Sequence, residues 1–216
     1  MSTDRLTVPP ALQTRSRATQ DRIFAAGTEL LAKGGPEALT VAAVTDAAGV
    51  AVGSVYRRFG DKERLLLAIQ SRFTEDFRAE FRQRVADTAL SAETPPAEVI
   101  AAAVCGVAET FRAHSRLLRV FMLLGTQNPV VLDEGSRASI EGGRTFRDTV
   151  MLAASALRHH HDVETAIDFA YRLTYATCAH RVVHGEHLES ARPLTWDQMI
   201  EQLRIAVTSY LLAPAS

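Results

Sequence analysis

Cysteines, long apolar runs and strand-like stretches are all scarce in this chain of 216 residues. Its two cysteines, Cys105 and Cys178, lie in separate apolar segments, which argues against a disulfide framework or a paired-cysteine metal site. The longest uncharged apolar stretch, residues 99–108, has about half of the ~20 residues that a membrane-spanning helix requires. The N-terminal residues also lack the apolar core of a secretory signal. We therefore expect a cytoplasmic protein with reduced thiols and no membrane-spanning segment.

Alternating β-branched runs bounded by turn residues are absent as well, whereas apolar residues recur at helical spacing almost everywhere. This pattern predicts an all-α protein. A loose arm is expected over residues 1–14, followed by a helix that ends at Gly34-Gly35-Pro36. The remaining predicted helices span residues 41–48, 52–59, 61–90, 97–113, 115–124, 134–157, 162–184 and 195–212, with 125–133 as an irregular loop. Asp61 and Asp162 are the expected N-caps of the helices that begin there, and Thr195 and Gln198 have the spacing of a capping box.

The net charge of −1 conceals a small asymmetry along the chain. Residues 1–64 hold nine Lys and Arg against seven Asp and Glu, whereas residues 65–216 hold fifteen against eighteen. A difference of this size is only a weak argument for a nucleic-acid partner. The placement of the cations has to decide the question.

Two short helices joined by a tight turn, residues 41–59, have the helix-turn-helix pattern, in which the second helix enters the major groove. At about 100° per residue, Val55 and Phe59 fall on one side of the second helix and are expected to be buried. Gly53, Ser54 and Arg57 fall on the opposite side. There a small residue allows close approach and an arginine can bind guanine.

Four further side chains border this outward side. Tyr56 and Arg58 flank it, where phosphates would lie. Thr40 and Lys62 stand at helix N-termini, whose free amides and dipole favour a phosphate. A solvated helix face would carry similar residues, so the geometry alone leaves DNA binding and simple exposure equally open.

The stretch RIFAAGTELLAKGGPEALTVAAVTDAAGVAVGSVYRRFGDKERLL resembles the N-terminal DNA-binding domain of the TetR family of transcriptional regulators, over about residues 15–66. The shared elements follow one another without gaps. They are the Ile23, Ala26 and Leu30 stripe, Gly34-Gly35, Thr40-Val41, residues 47–50, Gly53-Ser54-Val55-Tyr56, Phe59 and Lys62-Glu63.

The resemblance implies a three-helix DNA-binding domain over residues 15–62 and a larger helical ligand-binding and dimerisation domain over 63–216. It implies a homodimer, usually repressing, that binds a near-palindromic operator and is released by a small molecule. It also supports phosphate contacts from Thr40, Tyr56 and Lys62, and recognition contacts from Gly53, Ser54 and Arg57. The long helix from residue 61 is expected to act as the lever between the two domains.

One departure from the family concerns the start of the second short helix. Ser-Lys is common there, but this chain has Ala51-Val52. The change removes a capping hydroxyl, worth ~1 kcal/mol at such a site, together with one positive charge. No lysine contact is therefore carried over to this position, and Arg58, where histidine is common, supplies a second guanidinium.

Aromatic and methionine side chains are frequent after residue 70 and are compatible with a cavity for a largely apolar effector. The same spacing is also typical of an ordinary helical core, so the two interpretations stay open. Arg144, Arg147 and Arg172 would meet an anionic group, or would simply be exposed. The candidate effector-binding residues are Phe73, Phe77, Phe111, Phe121, Met122, Phe146, Phe169 and Tyr175.

Three histidines, His180, His184 and His187, have a spacing that metal sites use. Gly185 is expected to end the helix before His187, and the segment HRVVH lacks the glutamate of the zinc-protease motif. We therefore assign no metal, cofactor or catalytic residue. A metal-dependent enzyme built on these histidines and a helical protein-interaction adaptor remain the alternatives to a DNA-binding regulator.

Overall fold

The computed structural model describes residues 10–158, 160–188 and 190–213. Within these ranges the ordered segments are helical and no strand occurs, which confirms the all-α prediction. The helices are α1 (Pro10–Ala38), α2 (Val41–Ala48), α3 (Val52–Phe59), α4 (Lys62–Ala86), α5 (Pro96–Ala113), α6 (Ser115–Gly125), α7 (Pro129–Val150), α8 (Val163–His184) and α9 (Trp196–Leu212), with a 3₁₀ segment (Met151–Leu157) after α7.

The chain divides into two compact units, one ending at Ser71 and the other beginning at Arg72. The boundary falls inside α4, whereas the sequence predicted a domain boundary at residue 62, where that helix begins. In the first unit, α1 is interrupted at Gly35, whose φ of 66° lies in the left-handed region that favours glycine. The buried side chains of this unit include Ile23, Leu31, Leu39, Val44, Val55, Phe59, Leu65 and Ile69.

Helix α5 is the central element of the second unit and packs against α7, α8 and α9. Its buried face is formed by small and β-branched residues such as Ala103 and Val104, which allow neighbouring helices to approach closely. At Gly106 an added Cβ would lie 2.9 Å from the Phe81 ring, so the glycine admits that ring. Near the start of α9, the Arg181 guanidinium lies 5.5 Å from the centroid of the Trp196 ring, a cation–π contact.

Several helix ends follow the predicted capping residues. Asp61 Oδ1 accepts a hydrogen bond from the Arg64 amide at 2.8 Å, and Asp162 accepts one from the Thr165 amide at 3.0 Å. Thr195 and Gln198 form the predicted capping box at the start of α9.

Other helix ends differ from the prediction. The predicted loop 125–133 is wrong in its second half, because Asn128 accepts hydrogen bonds from two amides of the next turn and begins α7 at Pro129. Residues 10–14, expected to be a loose arm, belong to α1, while residues 1–9 of that arm lie outside the described residues. Helix α4 ends at Ala86 rather than near 90, before Ala89, whose φ is 49°.

Both cysteines are free thiols, and burial raises the pKa of Cys178 to about 12. In the part of the chain that the structure describes, no helix combines the length and the apolarity needed to cross a membrane.

Candidate functional site

The turn between α2 and α3 is built from the residues that the sequence pattern selects. Thr40 caps α2 by accepting a hydrogen bond from the Ala43 amide at 3.1 Å. Gly49 ends α2 with a φ of 60°, a conformation that costs glycine little. Ala51 is the N-cap of α3 and makes no side-chain capping bond. The first amides of α3 therefore have no hydroxyl partner from this residue, as the Ala51-Val52 departure predicts.

Helix α3 presents a mixed outward surface above an apolar underside. Val55 and Phe59 are buried, as predicted, and the Phe59 ring packs edge-on against Phe24 of α1 at 5.7 Å. Arg57 is exposed and Tyr56 is 52% exposed. A Cβ added at Gly53 would meet nothing within 4 Å. Packing inside the protein therefore does not explain why residue 53 is a glycine.

Arg58 does not extend freely from the flank of α3. Its Nη2 donates to Ser16 Oγ at 3.1 Å and to the Ser16 carbonyl at 3.4 Å, and its Nη1 donates to the Ser54 carbonyl at 3.4 Å. The guanidinium thus ties α3 to the N-terminal part of α1. The helical periodicity of α3 places Arg58 beside the phosphates and does not indicate this contact, because the partner lies 42 residues earlier in the chain.

Lys62 is exposed at the first position of α4, directly after the Asp61 cap. At the opposite side of the turn, Arg22 of α1 donates to the Gly49 carbonyl at 3.4 Å. Four residues of the first unit are therefore exposed: Thr40 at the cap of α2, Tyr56 and Arg57 on α3, and Lys62 at the start of α4. This arrangement offers cations and hydrogen-bond donors around an outward helix, as binding to a DNA groove requires.

In the second unit, aromatic side chains from five helices form one continuous chain of ring contacts, termed here the aromatic series. Successive ring centroids lie 5.2–6.0 Å apart. In order, the aromatic series is Phe121, Phe73, Phe77, Phe111, Tyr175, Tyr171 and Phe146.

Six of the eight candidate effector-binding residues lie in the aromatic series. Its seventh member, Tyr171, was not selected from the sequence, although its spacing of four residues from Tyr175 could have indicated it. Met122 is partly buried against the same core. Phe169 does not join the series, because it is 50% exposed and packs against Tyr210 at 5.3 Å.

The His114 ring lies beside the aromatic series, 5.6 Å from Phe73 and 5.7 Å from Phe77. Its Nε2 is 2.6 Å from Glu80 Oε2. Burial raises the pKa of the Glu80 carboxyl, but hydrogen bonds from His114 and Arg84 outweigh burial, so this pKa lies below its ordinary value. A carboxylate–imidazole pair therefore borders the aromatic rings.

The other end of the aromatic series is also polar. Tyr171 Oη donates to the Ser139 carbonyl of α7 at 2.7 Å, and burial raises the pKa of this phenol to about 12. The ring lies directly on the backbone of α7, since a Cβ added at Gly142 would be 2.8 Å from Tyr171 Oη and one at Gly143 would be 3.0 Å from the ring. Burial raises the pKa of the Tyr175 phenol as well.

Two polar links join α4 to α7 in the second unit. Thr74 Oγ1 donates to Glu134 Oε1 at 2.9 Å, and Arg78 forms an ion pair with Glu141. Thr74 is buried and the Arg78 side chain is largely buried. Together with the Glu80–His114 pair, these links hold the C-terminal half of α4 to the second unit through side chains.

The three arginines considered for an anionic group are engaged differently. Arg147 donates hydrogen bonds to both carboxylate oxygens of Glu164, and Arg172 donates one to Asp168, one helical turn earlier. Arg144 is exposed. These contacts favour the prediction that the arginines belong to a solvated surface.

The histidines do not assemble into a metal-binding cluster. The rings of His180 and His184 lie 4.7 Å apart on α8, but Gly185, with a φ of 82°, ends the helix before His187. Among the described residues, no group of three or more His, Cys, Asp or Glu side chains is placed to hold a metal ion.

Residues 23–69 match the family profile described as bacterial regulatory proteins, tetR family. No curated protein sequence matches the chain. Solved structures with a similar fold include a TetR-family transcriptional regulator from Mesorhizobium loti, with a TM-score of 0.70 and 15% identity over 91% of this chain and 96% of that one. Salmonella enterica GusR is also similar, with a TM-score of 0.65 and 22% identity over 96% of this chain and 99% of that one.

A third structure, the fatty acid degradation regulator FadR from Bacillus halodurans, has a TM-score of 0.61 and 16% identity over 96% of this chain and 97% of that one. At such identities the likeness establishes the fold, while the profile match establishes the N-terminal domain. The profile match therefore assigns residues 23–69 to the N-terminal domain of the tetR family of bacterial regulatory proteins.

Proposed function

We propose that the protein is a homodimeric transcriptional repressor that binds a near-palindromic operator and is released by a small, largely apolar effector. The observation that carries the proposal is the outward surface of α3, where an unobstructed glycine and an exposed arginine stand above a buried Val55 and Phe59. Regulation is a second step of the proposal, supported by the aromatic series in the second unit.

In the proposed complex, Gly53, Ser54 and Arg57 face the base edges of the major groove. Thr40, Tyr56 and Lys62 bind phosphates, the last beside the positive end of α4. The sequence predicts a phosphate contact for Arg58, but in the structure its guanidinium donates to Ser16. We assign it the positioning of α3 against α1.

The homodimer is proposed to form through the outward side of α8 and α9. Large apolar side chains are exposed there, namely Phe169 on α8 and Ile205 and Tyr210 on α9. Packing these helices against their copies would remove that surface from water. A two-fold dimer would set two α3 helices about 34–36 Å apart, which matches one turn of DNA.

Release requires an effector that binds more tightly to a conformation in which the spacing of the two α3 helices does not match the operator half-sites. An effector with equal affinity for both conformations would leave the affinity for DNA unchanged. The aromatic series is the proposed effector region, and the Glu80–His114 pair and the Tyr171 hydroxyl are proposed to take polar groups of the ligand. Helix α4 contributes Phe73 and Phe77 to the series and begins at the proposed phosphate-binding Lys62. A movement of these rings on effector binding would therefore displace α4, the helix that begins at Lys62.

Selection of bound fragments from genomic DNA, followed by footprinting, tests the DNA-binding part. We expect one discrete protected site with two related halves. Gly53→Ala should reduce affinity for that site at least about tenfold, because the added methyl group would meet the DNA rather than the protein. Gly135→Ala is the matched control, since a Cβ there also meets nothing within 4 Å. Failure to select any discrete site would contradict the proposal.

Transcription from the selected promoter tests the regulatory sign. Deletion of the gene should raise the transcript if the protein represses, and addition of effector to the intact strain should raise it to the same level. A transcript that falls on deletion would show activation instead. Effector release should be weakened by Phe77→Ala, with DNA affinity in the absence of effector preserved.

A further inference from the structure

An exposed apolar patch, formed by Ala51 and Val52, lies at the N-terminal end of α3. Val52 is 49% exposed and Ala51 is exposed beside it. The buried residues of α3 are Val55 and Phe59, so the apolar side chain of Val52 contributes little to the protein core. An exposed valine in the first turn of an otherwise polar recognition surface requires a different explanation.

In the proposed operator complex, this apolar patch would lie close to base edges. In a helix-turn-helix, the N-terminal residues of the second helix are the ones that reach the bases. Val52 lies one turn before Tyr56 on the same flank of α3 and directly before Gly53. Because nothing stands within 4 Å of the missing Gly53 side chain, the backbone of this turn can approach the groove closely. Short side chains at 51 and 52 can then touch base edges.

The chemistry of valine limits what it can recognise there. It has no hydrogen-bond donor or acceptor, and placed against a polar base edge it would leave that edge without a partner. In the major groove, thymine is distinguished by an apolar group, its C5 methyl. We propose that Val52, with Ala51 beside it, packs against the C5 methyl of a thymine in each operator half-site. This inference rests on the proposed function of operator binding.

The test uses the full-length protein and the operator obtained by selection. Each thymine is replaced in turn by deoxyuridine, which keeps the hydrogen-bonding groups and lacks the methyl. At one thymine per half-site we expect a loss of affinity of about 4-fold, the factor for one buried methyl group. Replacement in both half-sites should cost about 15-fold. In Val52→Ala the same replacement should cost under about 2-fold. In Val52→Thr, which keeps one methyl group, the cost should lie between that value and the cost in the unsubstituted protein.

Val130→Ala is the matched control variant, because Val130 is a similarly exposed valine in the first turn of α7, 54% exposed. It should leave the deoxyuridine effect at full size. A discrete operator with no thymine whose methyl is coupled to Val52 would overturn the inference and leave operator binding intact. If no discrete site is selected, the proposed function and this inference fail together.

Discussion

Arg57 and Lys62 are both exposed cations of the first unit, but they are expected to do different things. Arg57→Ala should weaken binding to the operator by ~1–3 kcal/mol and relax sequence preference at one base pair, because arginine pairs with guanine. Lys62→Ala should weaken binding to all sequences similarly and reduce the slope of log affinity against log salt by about one. Titrations of operator and unrelated DNA at several salt concentrations measure both. Equal loss on both DNAs for Arg57→Ala would remove its recognition role.

Arg58 supports DNA binding indirectly if its bonds to Ser16 persist in the complex. Arg58→Ala should lower the free energy of unfolding by about 1 kcal/mol and weaken operator binding without changing the salt slope. Arg58→Lys should restore little, since an ammonium group does not span the Ser16 and Ser54 acceptors as a planar fork does. Urea unfolding and salt titration together decide the role. A smaller salt slope with unchanged stability would make Arg58 a phosphate contact, as the sequence first indicated.

Gly142 and Tyr171 provide a test of the packing at one end of the aromatic series. Alanine in a helix is favoured over glycine by up to ~1 kcal/mol, but at position 142 its methyl would collide with Tyr171 Oη. Gly142→Ala should therefore destabilise the protein. In a Tyr171→Phe background, where that oxygen is gone, it should instead stabilise. Thermal unfolding of the two single variants and the double variant gives the coupling free energy between positions 142 and 171.

Gly143 is the control for this pair. A Cβ at 143 approaches a ring carbon of Tyr171, not its hydroxyl. Gly143→Ala should therefore stay destabilising in both backgrounds. If Tyr171→Phe rescued both alanine variants equally, the ring would have moved and the hydroxyl would not be the obstacle at 142.

At the scale of single elements, α2 and α3 have the same length but different N-terminal caps. Thr40→Ala should cost about 1 kcal/mol, because the Ala43 amide loses its acceptor. Ala51→Ser should stabilise by a similar amount, since the backbone at 51 is already extended, with a φ of −68° and a ψ of 142°. Urea unfolding followed by circular dichroism measures both changes. Unchanged stability in Ala51→Ser would mean that the first amides of α3 already have other acceptors.

Helix ends with a capping signal could be predicted from the sequence, and those decided by packing could not. Asp61, Asp162 and the Thr195–Gln198 box each satisfy local amides, so the local sequence is sufficient. Asn128 carries the same kind of signal, followed by a proline at the first helical position, but the surrounding polar and β-branched residues resembled a loop. Residues 10–14, in contrast, are preceded in the sequence by a proline rather than by a capping residue, so no comparable cap marks the start of that helical turn.

At the scale of the whole molecule, the proposed dimer makes a prediction about α8 and α9. Phe169→Glu or Ile205→Glu should shift the monomer–dimer equilibrium at least about tenfold towards monomer, because each copy would bury a charge in place of an apolar side chain. Sedimentation equilibrium measures the shift. Ile140→Glu on α7, a side chain 56% exposed, is the control and should leave the dimer intact. If Ile140→Glu produced monomer while Phe169→Glu and Ile205→Glu left the dimer intact, the interface would lie on α7 instead.

The candidate site was predictable to different degrees in the two units. The outward and buried sides of α3 follow from helical periodicity, because a short helix on a small core leaves few alternatives. Arg58 escaped prediction since its partner, Ser16, is distant in sequence. In the second unit, periodicity selected most of the aromatic series but not the helices that each ring meets. For that reason Phe169, on the outer side of α8, was grouped with rings that it does not touch.

Trp196 is the only tryptophan in the sequence, and it stacks with Arg181 in the second unit. Excitation at the red edge of the absorption band selects tryptophan over tyrosine, so the intrinsic emission of the native protein reports on one place only. Effector titrations that repack α8 and α9 should change that emission, while DNA contacts made by α3 have no tryptophan of their own to quench. The protein thus contains an unlabelled optical probe located in the second unit, which reports on DNA bound at α3 only through a conformational change that reaches α8 and α9.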